Sequence, residues 1–404
     1  MNGARRAFIV VIDACGVGAL PDAEAYGDAG TNTLGHLATA VGGLSLPTLQ
    51  RLGLGNILPV AGVTPTAAPV LHGRLAAIGP GKDSTAGHWG LMGVAAPTPL
   101  PTFPDGFPPA VVAMIEAFTG APVLCNRPAN GIEAIDTYGE AQLRGGGVIL
   151  YTSKDSVLQI AAHTDILPIP ELHRLCAAIR DALPPECAVG RVIARPFSGS
   201  PGAFVRADGR RDFSIAPPGR SYLEAVQAAG IPVHTVGKAG QLMGGVGVDV
   251  AHAGSDNPTA LAVTGQLLEG LAGGLVFVNL VDTDQRYGHR HDAPGFAAAL
   301  AEIDDHLRRW LDRLGPGDLL ILTADHGVDV TAAHTDHTRE YAPLLAVFPG
   351  SRGRHDGILA DVGASALAWL TGGGSAVPPV PVDPHPGGPA VRFEELPGRS
   401  FLDA

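Results

Sequence analysis

Three short apolar runs, far apart in the chain, each end on an acidic residue. Residues 8–12 end at Asp13. Residues 275–281 open into Asp282-Thr283-Asp284, with His289 five positions beyond Asp284. Residues 319–324 end at Asp325-His326-Gly327, and Thr335-Asp336-His337-Thr338 follows. Apolar runs of this length, bounded by Gly and Asp, read as buried strands. Helical stretches alternate with them, so the predicted class is α/β, with a central mostly parallel sheet flanked by helices. In an open sheet of this kind, ligands collect beyond the carboxyl ends of the strands. Carboxylates and imidazoles gathered there make a site for divalent metals, two of them by the number of ligands on offer.

The 404 residues exceed what one hydrophobic core usually serves, so two domains are expected. Apolar residues at 46% against 16% charged describe a compact, folded chain. A formal charge of −12 sets it against nucleic acid and anionic membrane as partners, though bound dications can reverse the field locally. Cys15, Cys125, Cys176 and Cys187 show no CxxC spacing and read as reduced thiols. Asp13 interrupts the first apolar run too early for a signal peptide, and no run reaches the ~20 residues a bilayer crossing needs. A cytoplasmic monomer acting on small molecules is the expectation.

The candidate ligands occur only before a proline-rich break at 97–109 and after a softer break at 216–219. Residues 1–97 and 217–404 are therefore read as a discontinuous metal-binding core, and 98–216 as an inserted, smaller α/β cap that carries substrate contacts. Within the core, residues 231–236 and 344–348 read as further strands and 258–271 as a helix. Residues 295–314 give the clearest helix, with Phe296, Leu300, Ile303, Leu307, Trp310, Leu311 and Leu314 on one face. The stretch 378–389, rich in Pro and Gly, reads as a loop that need not be ordered.

Asp13, Asp284, His289, Asp325, His326 and His337 mix oxygen and nitrogen ligands without a thiolate, which suits Mn²⁺, Zn²⁺ or Fe²⁺. Singly, each reads more readily as a strand-end cap or a surface histidine; their joint placement reverses that and favours metal. His291, His334 and Asp336 are candidates for outer contacts. Lys82-Asp83-Ser84 is no P-loop, because Asp83 separates the lysine from the hydroxyl. Ser84 heads a probable helix, and its position alone fits an N-cap or a nucleophile toward phosphorus equally well.

The segments around these residues resemble the alkaline phosphatase superfamily: VVIDACGVGALPDA, GKDSTAGHW, VDTDQRYGHR, TADHG and TDHTREYAPLL. More narrowly, YGDAGTNTLGH, YTSKDSVLQIAAH, GRVIARPFSG and GRSFL resemble the bacterial phosphopentomutase family from end to end. The resemblance implies two Mn²⁺ ions, one held by Asp284, His289 and His337 and the other by Asp13, Asp325 and His326. It implies that Ser84 stands where the family carries its phosphorylated Thr and bridges or approaches both ions, which makes it a seventh candidate metal ligand, and that a sugar bisphosphate primes the enzyme. It also implies substrate contacts from Ser153, Asp155, Arg191, Ile193 and Arg206 in the cap and Lys238 in the core. The implied reaction is the interconversion of ribose (or 2-deoxyribose) 1-phosphate and 5-phosphate. The chain departs from the family at Gly90, where Glu is usual, in residues 239–243 after Lys238, and at His291, where Arg is common. A phosphoglycerate-type mutase, a phosphatase, or more distantly a non-catalytic metal- or sugar-phosphate-binding protein are the alternatives.

Overall fold

A computed structural model describes residues 5–153, 155–373 and 396–402; the loop expected at 378–389 lies outside them. Two compact units result, one of residues 1–98 with 217–404 and the other of residues 99–216. In chain order the strands are β1 (Arg6–Ile12), β2 (Leu71–Ala76), β3 (Val123–Pro128), β4 (Val148–Thr152), β5 (Val157–His163), β6 (Arg191–Ser198) and β7 (Val205–Arg206). They continue with β8 (Arg211–Ser214), β9 (Val233–Val236), β10 (Val250–His252), β11 (Gly274–Leu280), β12 (Asp318–Thr323), β13 (Ala342–Val347) and β14 (Gly357–Ile358).

The first unit is built on one eight-stranded sheet, in the order β10-β9-β11-β1-β12-β13-β2-β14. The five strands from β10 to β12 run parallel, whereas β13 is antiparallel to both β12 and β2. Every residue of β11 and β12 is buried, and β1 is buried from Ala7 onward. Strands covered by helices on both faces must be apolar on both, so they show as unbroken apolar runs without alternation. The helix Ala293–Leu311 buries Phe296, Leu300, Ile303, Leu307 and Trp310, as its periodicity predicts. Leu311 and Leu314 are only half-buried, because the helix ends there. Asp304, on the same helix, is buried for another reason. Its carboxylate accepts from the backbone N–H of Thr48 (3.0 Å) and Leu49 (2.7 Å), capping the helix Pro47–Leu52.

The second unit has its own sheet, β3-β4-β5-β6-β7, with β8 paired to β6. Val148, Leu150, Leu158, Ile160, Val192 and Ala194 pack one of its faces against the helices Pro109–Thr119 and Ile169–Ala182. Ile149, Tyr151, Ala161 and Phe197 turn the other face toward the helix Gly131–Gly145, which contributes Ala134 and Ile135. Among the described residues, no helix is long and apolar enough to cross a membrane. All four cysteines are free thiols.

Candidate metal centre and active site

The neighbouring strands β11, β1 and β12 deliver the three key carboxylates to one end of the first sheet. Ile12 lies opposite Leu280, and Val11 lies opposite Thr323. Asp13, one residue past β1, and Asp325, two past β12, therefore emerge side by side, about one strand spacing apart. Asp284 follows β11 in a short π-helical turn, Thr283–Tyr287, that carries it toward the same place.

The side chains converge. His326 Nε2 stands 3.3 Å from Asp13 Oδ1 and 3.4 Å from Asp325 Oδ2. Asp284 Oδ1 is 3.3 Å from His289 Nε2 and 3.4 Å from His337 Nε2. Two triads, Asp13-Asp325-His326 and Asp284-His326-His337, each bring their ligand atoms within 4.8 Å of one another. His326 belongs to both, its ring centroid 4.1 Å from that of His337. All six residues of the expected ligand set thus lie in one cluster, with His289 at its more exposed edge.

The chemistry of this donor set fits divalent metal. Asp13 Oδ1, Asp284 Oδ1 and Asp325 Oδ2 are buried and accept no hydrogen bond. Buried carboxylate oxygens left without donors are costly unless a cation compensates them. The imidazoles are oriented for the same purpose. His326 Nδ1 lies 3.1 Å from the Gly327 carbonyl, and His289 Nδ1 lies 2.6 Å from that of Thr335. Donation from Nδ1 leaves each Nε2 lone pair pointing into the cluster.

Charge crowding shows in the acid–base balance of the metal-free side chains. Burial raises the Asp13 carboxyl above its ordinary range, and the charges of Asp325 and Asp284 push it further. Burial also disfavours charge on Asp284 and Asp325, but their histidine neighbours outweigh it and hold both below the usual carboxylate range. Burial works against a charged His326 too, yet Asp325 and Asp13 together raise it well above an ordinary histidine. Metal binding to an imidazole requires its neutral form, so a dication held at Nε2 would compete with a proton there.

Ser84 opens the helix Ser84–Leu91, whose N-cap, Asp83, accepts from the N–H groups of Thr85 and Ala86. The serine is therefore free of the capping role, and its Oγ lies 3.0 Å from His326 Nε2. Arg339 secures the loop leading to it, donating to the carbonyls of Gly79 (2.8 Å) and Gly81 (2.9 Å) while paired with Asp22. Lys82 is tied to the buried Asp28 at 2.8 Å, and Asp28 also meets His334 at 3.1 Å.

The chain matches the Metalloenzyme superfamily over residues 5–371. Phosphopentomutase from Anaeromyxobacter sp. strain K is 49% identical over 386 residues, which cover 91% of this chain and 99% of that protein. The Caldanaerobacter subterraneus phosphopentomutase is 46% identical over 367 residues, covering 89% and 93% respectively. The chain belongs to the phosphopentomutase family. As a phosphopentomutase-family protein it is an isomerase of the intramolecular phosphotransferase kind.

In this phosphopentomutase-family chain the remaining expected residues are spread over both units. Lys238 follows β9 on the carboxyl side of the first sheet, and its Nζ donates to Gln285 Oε1 at 2.6 Å, next to Asp284. Ser153 and Asp155 follow β4 in the second unit. Arg191 opens β6 within 3.8 Å of Asp155 and 3.5 Å of Asp212, Ile193 is buried in the same strand, and Arg206 ends β7. Of the departures, Gly90 is a matter of packing: a β-carbon there would meet Leu359 and Ile78. Residues 239–242 form a short helix, and the Leu242 carbonyl accepts from the Trp89 indole at 2.9 Å. His291 has a left-handed backbone, φ 52°, and reaches the His334 carbonyl at 3.0 Å.

Sequence reasoning gave no role to two buried residues behind the ligands. His88 Nδ1 lies 3.1 Å from Asp325 Oδ2 and 2.8 Å from the carbonyl of Ser84, one helical turn earlier, and so links the Ser84 backbone to Asp325. Asn279 donates to Asp13 Oδ2 at 2.8 Å and sits 3.2 Å from His88 Nε2. An asparagine inside an otherwise apolar strand was the available signal. Outer partners of this type are worth about 10–100-fold in metal affinity. His88→Leu is therefore expected to weaken divalent-metal binding by roughly that factor in a chelator competition. An unchanged affinity would make His88 a packing residue only.

Proposed function

We propose that this enzyme interconverts α-D-ribose 1-phosphate and ribose 5-phosphate, and the 2-deoxy pair, with Ser84 as the phosphoryl carrier. The observation that carries the reading is the Ser84 hydroxyl, released from capping by Asp83 and held 3.0 Å from His326 among buried ligand atoms without donors. Asp284, His289 and His337 would hold one ion, and Asp13, Asp325 and His326 the other, with Mn²⁺ the proposed metal. When bound, such ions neutralise charge on a transferring phosphoryl group and lower the pKa of a nearby hydroxyl.

The chain's own residues supply position. Phosphorylated Ser84 loses its phosphoryl group to the free hydroxyl of a pentose phosphate: the Oγ–P bond breaks as the sugar O–P bond forms. The resulting bisphosphate reorients and returns its other phosphoryl group to Ser84, leaving the isomeric monophosphate. Asp83 and Arg339 fix the loop and helix start so that Oγ keeps one direction through both transfers. A sugar bisphosphate charges the serine before the first turnover. Ser153, Asp155, Arg191, Ile193, Arg206 and Lys238 are the proposed contacts to the sugar phosphate. The reading keeps a monomeric cytoplasmic enzyme on small-molecule substrates, with a net charge of −12 unsuited to nucleic acid.

The test is a coupled assay with ribose 1-phosphate, Mn²⁺ and a catalytic amount of pentose bisphosphate. Ribose 5-phosphate should accumulate, with less than stoichiometric release of inorganic phosphate. Phosphate release without ribose 5-phosphate would replace the mutase by a phosphatase. Turnover of phosphoglycerate alone would replace the substrate.

A further inference from the structure

Glu340 lies three residues past His337 and is 4% exposed. Carboxylates buried to that degree are normally paired with a cation. This one accepts four hydrogen bonds instead, all from neutral donors. Its Oε2 takes the backbone N–H groups of Gly18 (3.0 Å) and Thr33 (2.9 Å). Its Oε1 takes the hydroxyls of Thr33 and Thr338, each at 2.7 Å. An ionised carboxylate accepts about four bonds and donates none, so it suits a point where donors converge.

The donors belong to the loops that carry candidate ligands. Gly18 lies in the loop after Asp13, and Thr338 adjoins His337. Gly327, which adjoins His326, exchanges backbone hydrogen bonds with Thr338 at 2.7 and 3.3 Å. A β-carbon at Gly16 or at Gly327 would collide with the Glu340 carboxylate, and neither glycine has a left-handed backbone. Both positions therefore lack a side chain to make room for this carboxylate. None of the four bonds goes to a ligand side chain, so Glu340 acts on the ligands through their loops.

We propose that Glu340 is a positioning residue of the metal centre, joining the loops after Asp13, His326 and His337 so that ligands from separate segments keep a fixed spacing. Ligands held in place beforehand bind more tightly, because less ordering remains to be done on binding. The proposal rests on the reading of the cluster as a metal centre and adds a residue outside the expected ligands. Hydrogen-bond geometry carries the role, and net charge does not. Glutamine separates the two, since a backbone N–H can only donate whereas a threonine hydroxyl can turn and accept. A glutamine amide fits with its oxygen toward the two N–H groups and its NH₂ toward the two hydroxyls.

The experiment measures Mn²⁺ affinity of the full chain by chelator competition. Glu340→Leu should weaken binding about 100-fold, the upper end for residues that orient metal ligands, and Glu340→Gln should recover at least about tenfold of that loss. Thr338→Val keeps the side-chain shape and removes one bond, so it should fold and weaken binding roughly threefold to tenfold. That variant decides the matter if Glu340→Leu does not fold. In EDTA, amide hydrogen exchange over residues 14–18 and 327–338 should be faster in Glu340→Leu and Thr338→Val than in wild type, and slower in Glu340→Gln than in Glu340→Leu. Wild-type affinity in folded Glu340→Leu or in Thr338→Val makes Glu340 a packing residue, and Glu340→Gln as weak as Glu340→Leu makes charge the working part; either result overturns the proposal. A wild type that binds no Mn²⁺ overturns it together with the metal centre. A wild type that shows these metal effects yet turns over no pentose phosphate keeps Glu340 in this role and removes the mutase reading alone.

Discussion

Ser84→Ala should lower mutase turnover by roughly 10⁴-fold or more, since removing a covalent nucleophile removes the route and not merely a contact. Metal binding should be largely retained, because the other six expected ligands come from elsewhere in the chain. The helix should also survive, as Asp83 provides the cap and alanine at the first helical position costs nothing. Incubation with a pentose bisphosphate, followed by peptide mapping, should place one phosphoryl group on Ser84 in the wild type and none in the variant. A phosphoryl group on Thr85 would keep the reaction class and move the nucleophile by one residue. That outcome is disfavoured by the 4% exposure of Thr85.

Removal of metal should cost stability, and the cost should grow with pH. In the metal-free chain His326 is raised well above an ordinary histidine and Asp13 above an ordinary carboxyl. Stability from such groups is fully present below their unfolded pKa values and is lost as pH rises through the folded ones. Asp284 and Asp325 are depressed, so their contribution is already complete above the ordinary carboxylate range and does not change on the alkaline side. The chelator-treated protein should therefore melt at progressively lower temperature as pH rises above the ordinary histidine range, where His326 gives up its proton. A dication held at Nε2 competes with that proton, so the loaded protein should stay nearly flat over the same interval. At metal concentrations about 1,000-fold above Kd, each site adds about 4 kcal/mol. Scanning calorimetry with and without EDTA reads the gap directly. A gap that narrows as pH rises would mean that His326 does not compensate the carboxylates.

The sheet was most legible where it is most buried. Strands β1, β11 and β12 are covered on both faces, so their apolar character is continuous and their ends are sharp. Strand β2 escaped notice because Leu71–Ala76 carries Arg74 exposed and His72 buried, a pattern that resembles neither a buried run nor clean alternation. The residue types of the candidate ligands were legible in the sequence, whereas the contacts of His88 and Asn279 were not, because these consist of which neighbour each side chain faces.

Taken alone, the amino-acid order determined where the most buried strands and the long amphipathic helix form and which chemical groups follow them, because both depend on a few adjacent residues. It also carried the family likeness, spread along the whole chain. It did not determine that β11, β1 and β12 are neighbours, since strand order depends on pairings between segments more than 200 residues apart. That adjacency brings Asp13, Asp284 and Asp325 into one buried cluster, where their mutual repulsion makes them a metal centre instead of three strand caps.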